Sequence, residues 1–417
     1  MIIYFLLIRI AALLGHKKAR QLVIGYKATM AQIQKGIALS SPIWFHAASV
    51  GEFEQARPLI ERLRREQPQQ KIVVTFFSPS GYEVRKNYEQ ADGIYYLPFA
   101  TRRNAKRFIK ALQPKMAIFV KYEFWPAYIR ELKKRNIPTY SICTIFRKHQ
   151  YFFRWWGRYE LKVLKGFTHL FVQDEASRRL LAEHGVHNAS VAGDTRFDRM
   201  KEVMGNGQMV NGERLTPIAH FTEGSERVIV AGSTWPEDEK LLQKYIYRQH
   251  LEIGHQTKLI LVPHELNAQH MHFIFNLFKG NLVRYSDISN ASSMLSSRYI
   301  LQQANVLLID TMGLLKATYP FGQVAYIGGG FGAGIHNTIE AAVYGKPIIF
   351  GPNYEHFREA KGLIKAGAAQ NIKKYRELET ALETALNNYE TIGAKAAEYV
   401  QSELGASARI YEQIFKS

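Results

Sequence analysis

The chain has 417 residues, 47% of them hydrophobic, which is more than one hydrophobic core usually serves and is ordinary for a globular protein of two domains. Its formal charge of +19 lies in one half: residues 1–200 hold 34 Lys and Arg against 15 Asp and Glu, while residues 201–417 hold 21 of each. A one-sided field points that half towards something anionic (nucleic acid, a membrane surface or a phosphorylated substrate), against the plainer reading of a solvated basic face. The single cysteine, Cys143, excludes an intrachain disulfide and a cysteine-based zinc site, and it fits a reducing compartment.

In chain order, the first predicted element is the apolar run "MIIYFLLIRIAALLG", interrupted only by Arg9 and followed by "HKKAR". A bilayer span takes about 20 apolar residues, so this run is short for one, and it lacks the basic start and the small-residue cleavage site of a signal peptide. The first 50 residues carry six Lys and Arg and no acid, which suits a helix lying in or dipping into an anionic leaflet; an ordinary buried first helix is the alternative. Residues 1–25 are accordingly read as a membrane-associated helix.

Residues 26–205 read as a first α/β domain, with strands near "IWFHAA", "IVVTFF", "GIYYLPF", "MAIFVKY", "TYSICTI", "HLFVQD" and "ASVAGD" alternating with helical stretches. The segment between Glu202 and Glu226, rich in Gly and Asn, is the best linker candidate. Residues 225–417 read as a second α/β domain with strands near "RVIVAGS", "LILVPH", "VLLID", "QVAYIGG" and "KPIIFGP", closed by helices at the carboxyl end. Ligands of such sheets bind at the carboxyl ends of the strands, so two domains of this kind imply a cleft between them.

Several loops at those strand ends carry candidate chemistry. In "HAASVGE", Glu52 falls at a helix start, where the macrodipole favours a carboxylate; a bland cap and a working acid are equally open on this stretch alone. Glu123, in "FVKYEFWP", ends another strand, and from Thr101 to Leu170 it is one of three acids among 17 Lys and Arg, so its neighbours favour the ionised form. In the second domain, glycines at 328, 329, 330, 332 and 334 precede "IHNTIEAA". Such a loop lets backbone approach a ligand, and the helix expected near Asn337 offers free N–H groups to a phosphate, with Glu340 placed for ribose hydroxyls. Asn337 and Glu340 also fit a capping-box variant that needs no ligand. "GSTWPEDE", "VPHEL" and "DTMGLL" end neighbouring strands. There is no Walker A loop and no first-strand GxGxxG, and the 14 histidines show no HExxH, nor is there a clustered DxD, so no metal site and no cofactor is predicted. The acids of "QDEASR" and "GDTRFDR" read as caps and turn formers.

Taken together, "HAASVGE", "YEFWP", "AGDTRFD", "GST", "VPH", "DTMG" and "GGG...GIHNTIEAA..GKPIIFGP", in this order after a short apolar start, resemble the bacterial 3-deoxy-D-manno-octulosonic acid (Kdo) transferases. The resemblance implies the GT-B fold, two Rossmann-like domains facing a central cleft. It implies an inverting, metal-independent transfer of Kdo from CMP-Kdo to an anionic lipid A precursor at the cytoplasmic face of the inner membrane, with no nucleic-acid partner. It makes Glu52 the general base, with Ser49 and Gly51 beside it on the acceptor side, and Glu123 a second acid. Pro263 and His264, Met312, Gly313 and Leu314, and Asn337, Thr338, Ile339 and Glu340 match the stretches that contact CMP. Two positions depart from the family pattern: His264 stands where an Arg is usual, and "KYEFWP" replaces Glu-Thr-Glu-Leu-Trp-Pro. A GT-B enzyme for another nucleotide sugar and a basic nucleic-acid-binding protein are the rival readings.

Overall fold

The computed structural model describes residues 2–34, 41–205, 212–253, 256–289 and 294–416, and divides into two compact units, Met1–Arg199 with Glu403–Ser417, and Met200–Ser402. Each unit is built on one parallel seven-stranded sheet with crossover helices, the arrangement that continuous apolar strands alternating with helices produce.

The first sheet contains β1 (Ile43–Ala47), β2 (Ile72–Phe76), β3 (Gly93–Tyr96), β4 (Met116–Val120), β5 (Thr139–Thr144), β6 (His169–Val172) and β7 (Ala189–Val191), in the order β3-β2-β1-β4-β5-β6-β7. The order reverses between β1 and β4, the switch point where such sheets bind ligands. The pleat sends Trp44, Val73 and Phe119 into one core layer and Ile43, Phe45, Val74 and Ile118 into the other. The second sheet contains β8 (Val228–Thr234), β9 (Lys258–Pro263), β10 (Leu282–Arg284), β11 (Val306–Leu308), β12 (Val324–Ile327), β13 (Ile348–Phe350) and β14 (Ala369–Asn371), in the order β10-β11-β9-β8-β12-β13-β14. All seven strands expected in the first half are present, as are the five expected in the second. β10 (LVR) and β14 (AQN) were not expected, because they lack the continuous apolar run of the equally short β11 (VLL) and β13 (IIF).

At the amino end, α1 (Ile2–Leu13) and α2 (Lys17–Gln34) form a helical pair on the first unit. Phe5 of α1 and Leu22, Tyr26 and Ile33 of α2 enter the core layer that holds Trp44. Among the described residues no helix is long and apolar enough to cross a membrane. Two further features differ from the sequence reading. The linker candidate contains a helix, Gly212–Thr222, that buries Pro217, Ile218 and Phe221, although residues 206–211 lie outside the described set. The last helix, Ala406–Phe415, read with the second domain, packs instead on the first unit, where Ile410, Tyr411 and Ile414 meet Leu59 and Leu63. Asp198 anchors this return by accepting the Gly405 and Ser407 N–H groups, each at 2.6 Å. Composition gave the helix; only packing could say which core it joins.

Candidate active site

The first cluster forms at the switch point between β1 and β4. α3 (Val50–Glu66) starts one turn beyond β1, and Ser49 is its N-cap, its hydroxyl accepting the Glu52 N–H at 3.4 Å. The Glu52 carboxylate turns back to accept the Ala48 N–H at 2.6 Å, so the cap role expected for this residue is real. It does not exhaust the residue. Glu52 is half-buried, and burial, then the charge of Glu123, raises its pKa above the ordinary glutamate value, against the Ala48 N–H, Lys121 and His46, which lower it. The expectation that a helix start would simply hold this group ionised is therefore corrected: desolvation outweighs the local dipole. A carboxylate raised in this way is a better proton acceptor near neutrality than an exposed one.

Glu123 lies just after β4 and is held by residues the sequence reading did not single out. Trp125 Nε1–H donates to Glu123 Oε2 at 2.7 Å, and His46 Nε2 is 3.0 Å from the same oxygen and 3.1 Å from the indole nitrogen. His46, on β1, is fully buried, with its Nδ1 3.0 Å from the Thr75 carbonyl oxygen. Nδ1 is also 2.9 Å from the Thr75 hydroxyl oxygen, so it can donate to the carbonyl or accept from the hydroxyl. Nε2 presents either a lone pair to the indole N–H or an N–H to Glu123, and the two side chains fix the carboxylate with one or two donors. The signal for His46 was a polar residue inside an otherwise apolar strand. Lys121, between β4 and Glu123, holds a left-handed backbone (φ 54°) and is the nearby cation whose charge bears on Glu52. It stands where the family motif has its first Glu. A Cβ on Gly51 would meet nothing within 4 Å, so the space beside Glu52 is open.

The second cluster, within the other unit, forms at the carboxyl ends of β8, β9 and β12. Asp238 is fully buried and accepts the Gly329 N–H at 2.9 Å, the Trp235 N–H at 3.0 Å and the Tyr326 hydroxyl at 2.7 Å, tying the glycine loop to the start of the helix after β8. Much of the glycine content has an internal cause. A Cβ on Gly328 would come within 2.4 Å of the Ser233 carbonyl oxygen, and one on Gly330 within 2.6 Å of Gly351 backbone. The helix expected near Asn337 is a single turn, Ile339–Ala342, too short for a developed N-terminal dipole. The capping box does not form either: Asn337 Oδ1 accepts the Ile339 N–H at 3.1 Å, and its Nδ2 donates to Glu340 Oε1 at 3.1 Å.

Lys316 lies 3.3 Å from that Glu340 oxygen, which joins the loop of Met312, Gly313 and Leu314 to the "HNTIE" stretch. Met312 is 79% exposed, whereas Pro263, Leu314, Thr338 and Ile339 are buried. His264 is exposed and stacks between Trp235 (5.0 Å) and His336 (4.2 Å). Trp235 Nε1–H donates to His336 Nε2 at 3.2 Å, and burial, then the neighbouring His264, pushes His336 down to about 4. Trp235 and His336 belong to this cluster but were absent from the sequence-derived set; each stood inside a quoted motif without a reason to single it out. Among the described residues no group of three His, Cys, Asp or Glu could hold a metal ion.

A family model described as 3-deoxy-D-manno-octulosonic-acid transferase (kdotransferase) matches residues 17–199, the stretch that contains His46, Glu52 and Glu123. Over this stretch the chain is similar to the Kdo transferase family. Curated relatives named 3-deoxy-D-manno-octulosonic acid transferase include those of Rickettsia felis (28% identical, over 85% of this chain and 74% of the relative) and Aquifex aeolicus (27%, 83% and 86%). That of Rickettsia bellii is 26% identical over 99% of this chain and 96% of its own length. The solved UDP-GlcNAc 2-epimerase of Neisseria meningitidis is similar in fold (TM-score 0.64, 15% identity, 90% of this chain and 100% of that one). So is MurG of Acinetobacter baumannii (TM-score 0.53, 13% identity, 90% and 100%). These two show the GT-B fold alone.

Proposed function

We propose that the protein transfers Kdo from CMP-Kdo to an anionic lipid A precursor, in an inverting reaction that needs no metal. The observation that carries this reading is the raised, half-buried Glu52 carboxylate beside Glu123 at the open strand ends of the basic unit. Glu52 takes the proton of the attacking sugar hydroxyl as the new bond to the anomeric carbon forms, and CMP leaves from the opposite face. Base catalysis of this kind contributes typically about 10²- to 10⁴-fold. Glu123, gripped by Trp125 and His46, keeps Glu52 receptive to the proton through its charge and orients the acceptor. In the second unit, exposed His264 and the 312–314 loop offer the contacts for CMP, with Glu340 available to ribose hydroxyls. The phosphate ester is already a good leaving group, so a base and preorganised N–H donors suffice.

The acceptor and the membrane surface follow from charge and exposed apolar side chains. Leu13 (88% exposed) and Leu14 (82%) lie on a helical pair that carries Arg and Lys without an acid, and Trp155 (79%) sits beside Arg154. Such a mixture suits the anionic interface of the cytoplasmic leaflet of the inner membrane. Incubation with CMP-Kdo and a lipid A precursor, followed by mass spectrometry of the lipid, should show an added Kdo mass. Competition by CMP and not by UDP separates this donor from other nucleotide sugars, and an unmodified lipid under saturating donor overturns the proposal.

A further inference from the structure

The first unit contains a cavity of about 620 Å³ between α1, α2 and the segment after β3, lined by none of the residues of the two clusters. That volume is within the range, about 300–1,000 Å³, that small-molecule sites occupy. Its lining is of two kinds. Arg9, Arg20 and Lys27 supply three cations, and no acid lines it; Leu13, Val23, Ile24, Met30 and Phe99 supply apolar surface. The Arg9 guanidinium lies 5.6 Å from the Phe99 ring centre, so one cation is held at the wall rather than trailing in solvent.

The wall is rigid where it matters. α2 is locked against β3: Thr29 Oγ1 accepts the Tyr96 N–H at 3.1 Å, and Gly25 lies so close to the Tyr96 ring that an added Cβ would come within 2.4 Å of it. It is also continuous with the acid cluster. Phe99 packs on Phe5 (4.6 Å), Phe5 on Trp125 (6.2 Å), and Trp125 donates to Glu123.

Three cations without an acid select an anion, and Arg and Lys together suit a phosphate. The apolar remainder selects against a free sugar phosphate or a nucleic acid, neither of which has anything to place there. An occupant that satisfies both halves is a phosphorylated lipid with an acyl chain. We propose that this cavity binds the phosphate-and-acyl portion of the acceptor lipid, with Arg9, Arg20 and Lys27 on the phosphate and Leu13, Ile24 and Met30 along the chain. The link from its Phe99 wall through Phe5 to Trp125 favours the acceptor over a bulk phospholipid, because the acceptor must also present a hydroxyl to Glu52. The inference rests on the reading of the acceptor as a phosphorylated lipid.

The test uses the full chain in zwitterionic detergent, with a tetra-acylated disaccharide bisphosphate as acceptor and its deacylated and dephosphorylated forms as controls. Arg20 and Lys27 are exposed, so the double variant Arg20→Gln/Lys27→Gln should fold; Met30→Trp fills the apolar part. Each should raise KM for the complete acceptor by about tenfold or more, with CMP affinity unchanged. The double variant should lose the wild-type preference over the dephosphorylated acceptor, and Met30→Trp the preference over the deacylated one. Unchanged KM and preferences in the double variant overturn the proposal, as does a loss confined to flotation on phosphatidylglycerol vesicles, which assigns these cations to the bilayer instead. If the wild type transfers no Kdo, direct equilibrium binding of the same three lipids still decides the cavity, and only the proposed reaction fails.

Discussion

Glu52 and Glu340 look alike in the sequence: each is an acid three residues after a capping residue, in a loop between a strand and a helix. In the structure they diverge. Glu52 opens a 17-residue helix, accepts one backbone N–H, and is raised by burial and by Glu123. Glu340 sits in a four-residue turn of helix, with the Asn337 amide and the Lys316 ammonium both on the same carboxylate oxygen. A carboxylate already engaged by a cation and an amide is a fixed acceptor; a desolvated one beside a second carboxylate is the better proton acceptor. Under the proposed function the contrast corresponds to proton chemistry in the first unit and donor holding in the second.

The largest effect that would break this contrast is at Glu52. Glu52→Gln should lower Kdo transfer by about 10²- to 10⁴-fold while leaving CMP affinity, read by calorimetry, intact; wild-type turnover would reduce Glu52 to a cap. The next effect is in the pH profile. A base must be deprotonated to act, so kcat should fall on the acid side with a midpoint above the ordinary glutamate range of about 4.3. Glu123→Gln removes the charge that helps raise Glu52, so the midpoint should move to lower pH, with turnover reduced by about tenfold from lost orientation of the acceptor. A midpoint that stays in place would uncouple the two acids. Glu340→Ala should weaken CMP by about tenfold with kcat for bound donor retained, since it loses charge-assisted hydrogen bonds to a ligand rather than a reacting group. The smallest effect concerns His336: held down at about 4, it is neutral across the physiological range, so His336→Gln should leave the pH dependence of CMP affinity there unaltered.

One prediction concerns the scaffold. Asp238→Ala removes the acceptor for the Gly329 and Trp235 N–H groups and the Tyr326 hydroxyl at a fully buried position. Leaving buried donors unpaired costs about 1–3 kcal/mol each, so the second unit should melt at clearly lower temperature by calorimetry. A loss of CMP binding without destabilisation would instead make Asp238 part of the ligand site.

Much of this was legible in the sequence because it is local. Alternating apolar runs and helical stretches give parallel α/β units, the divided charge marks the basic half, and a strand followed by Ser-Val-Gly-Glu places an acid at a helix start. The acids of "QDEASR" and "GDTRFDR" were read as caps and turn formers, and among them Asp174 and Asp194 accept the Ser177 and Arg196 N–H groups. What the sequence left open is what depends on partners far along the chain. His46 meets Glu123 across 77 positions, Gly328 packs on the end of β8, and the last helix crosses back to α3. Nothing in "IWFHA" says that its histidine will grip a carboxylate, and nothing in five glycines tells internal packing from ligand approach. Pattern and propensity fix which elements form; burial and long-range contacts fix the electrostatic state of a side chain, and therefore which of two similar glutamates can take a proton.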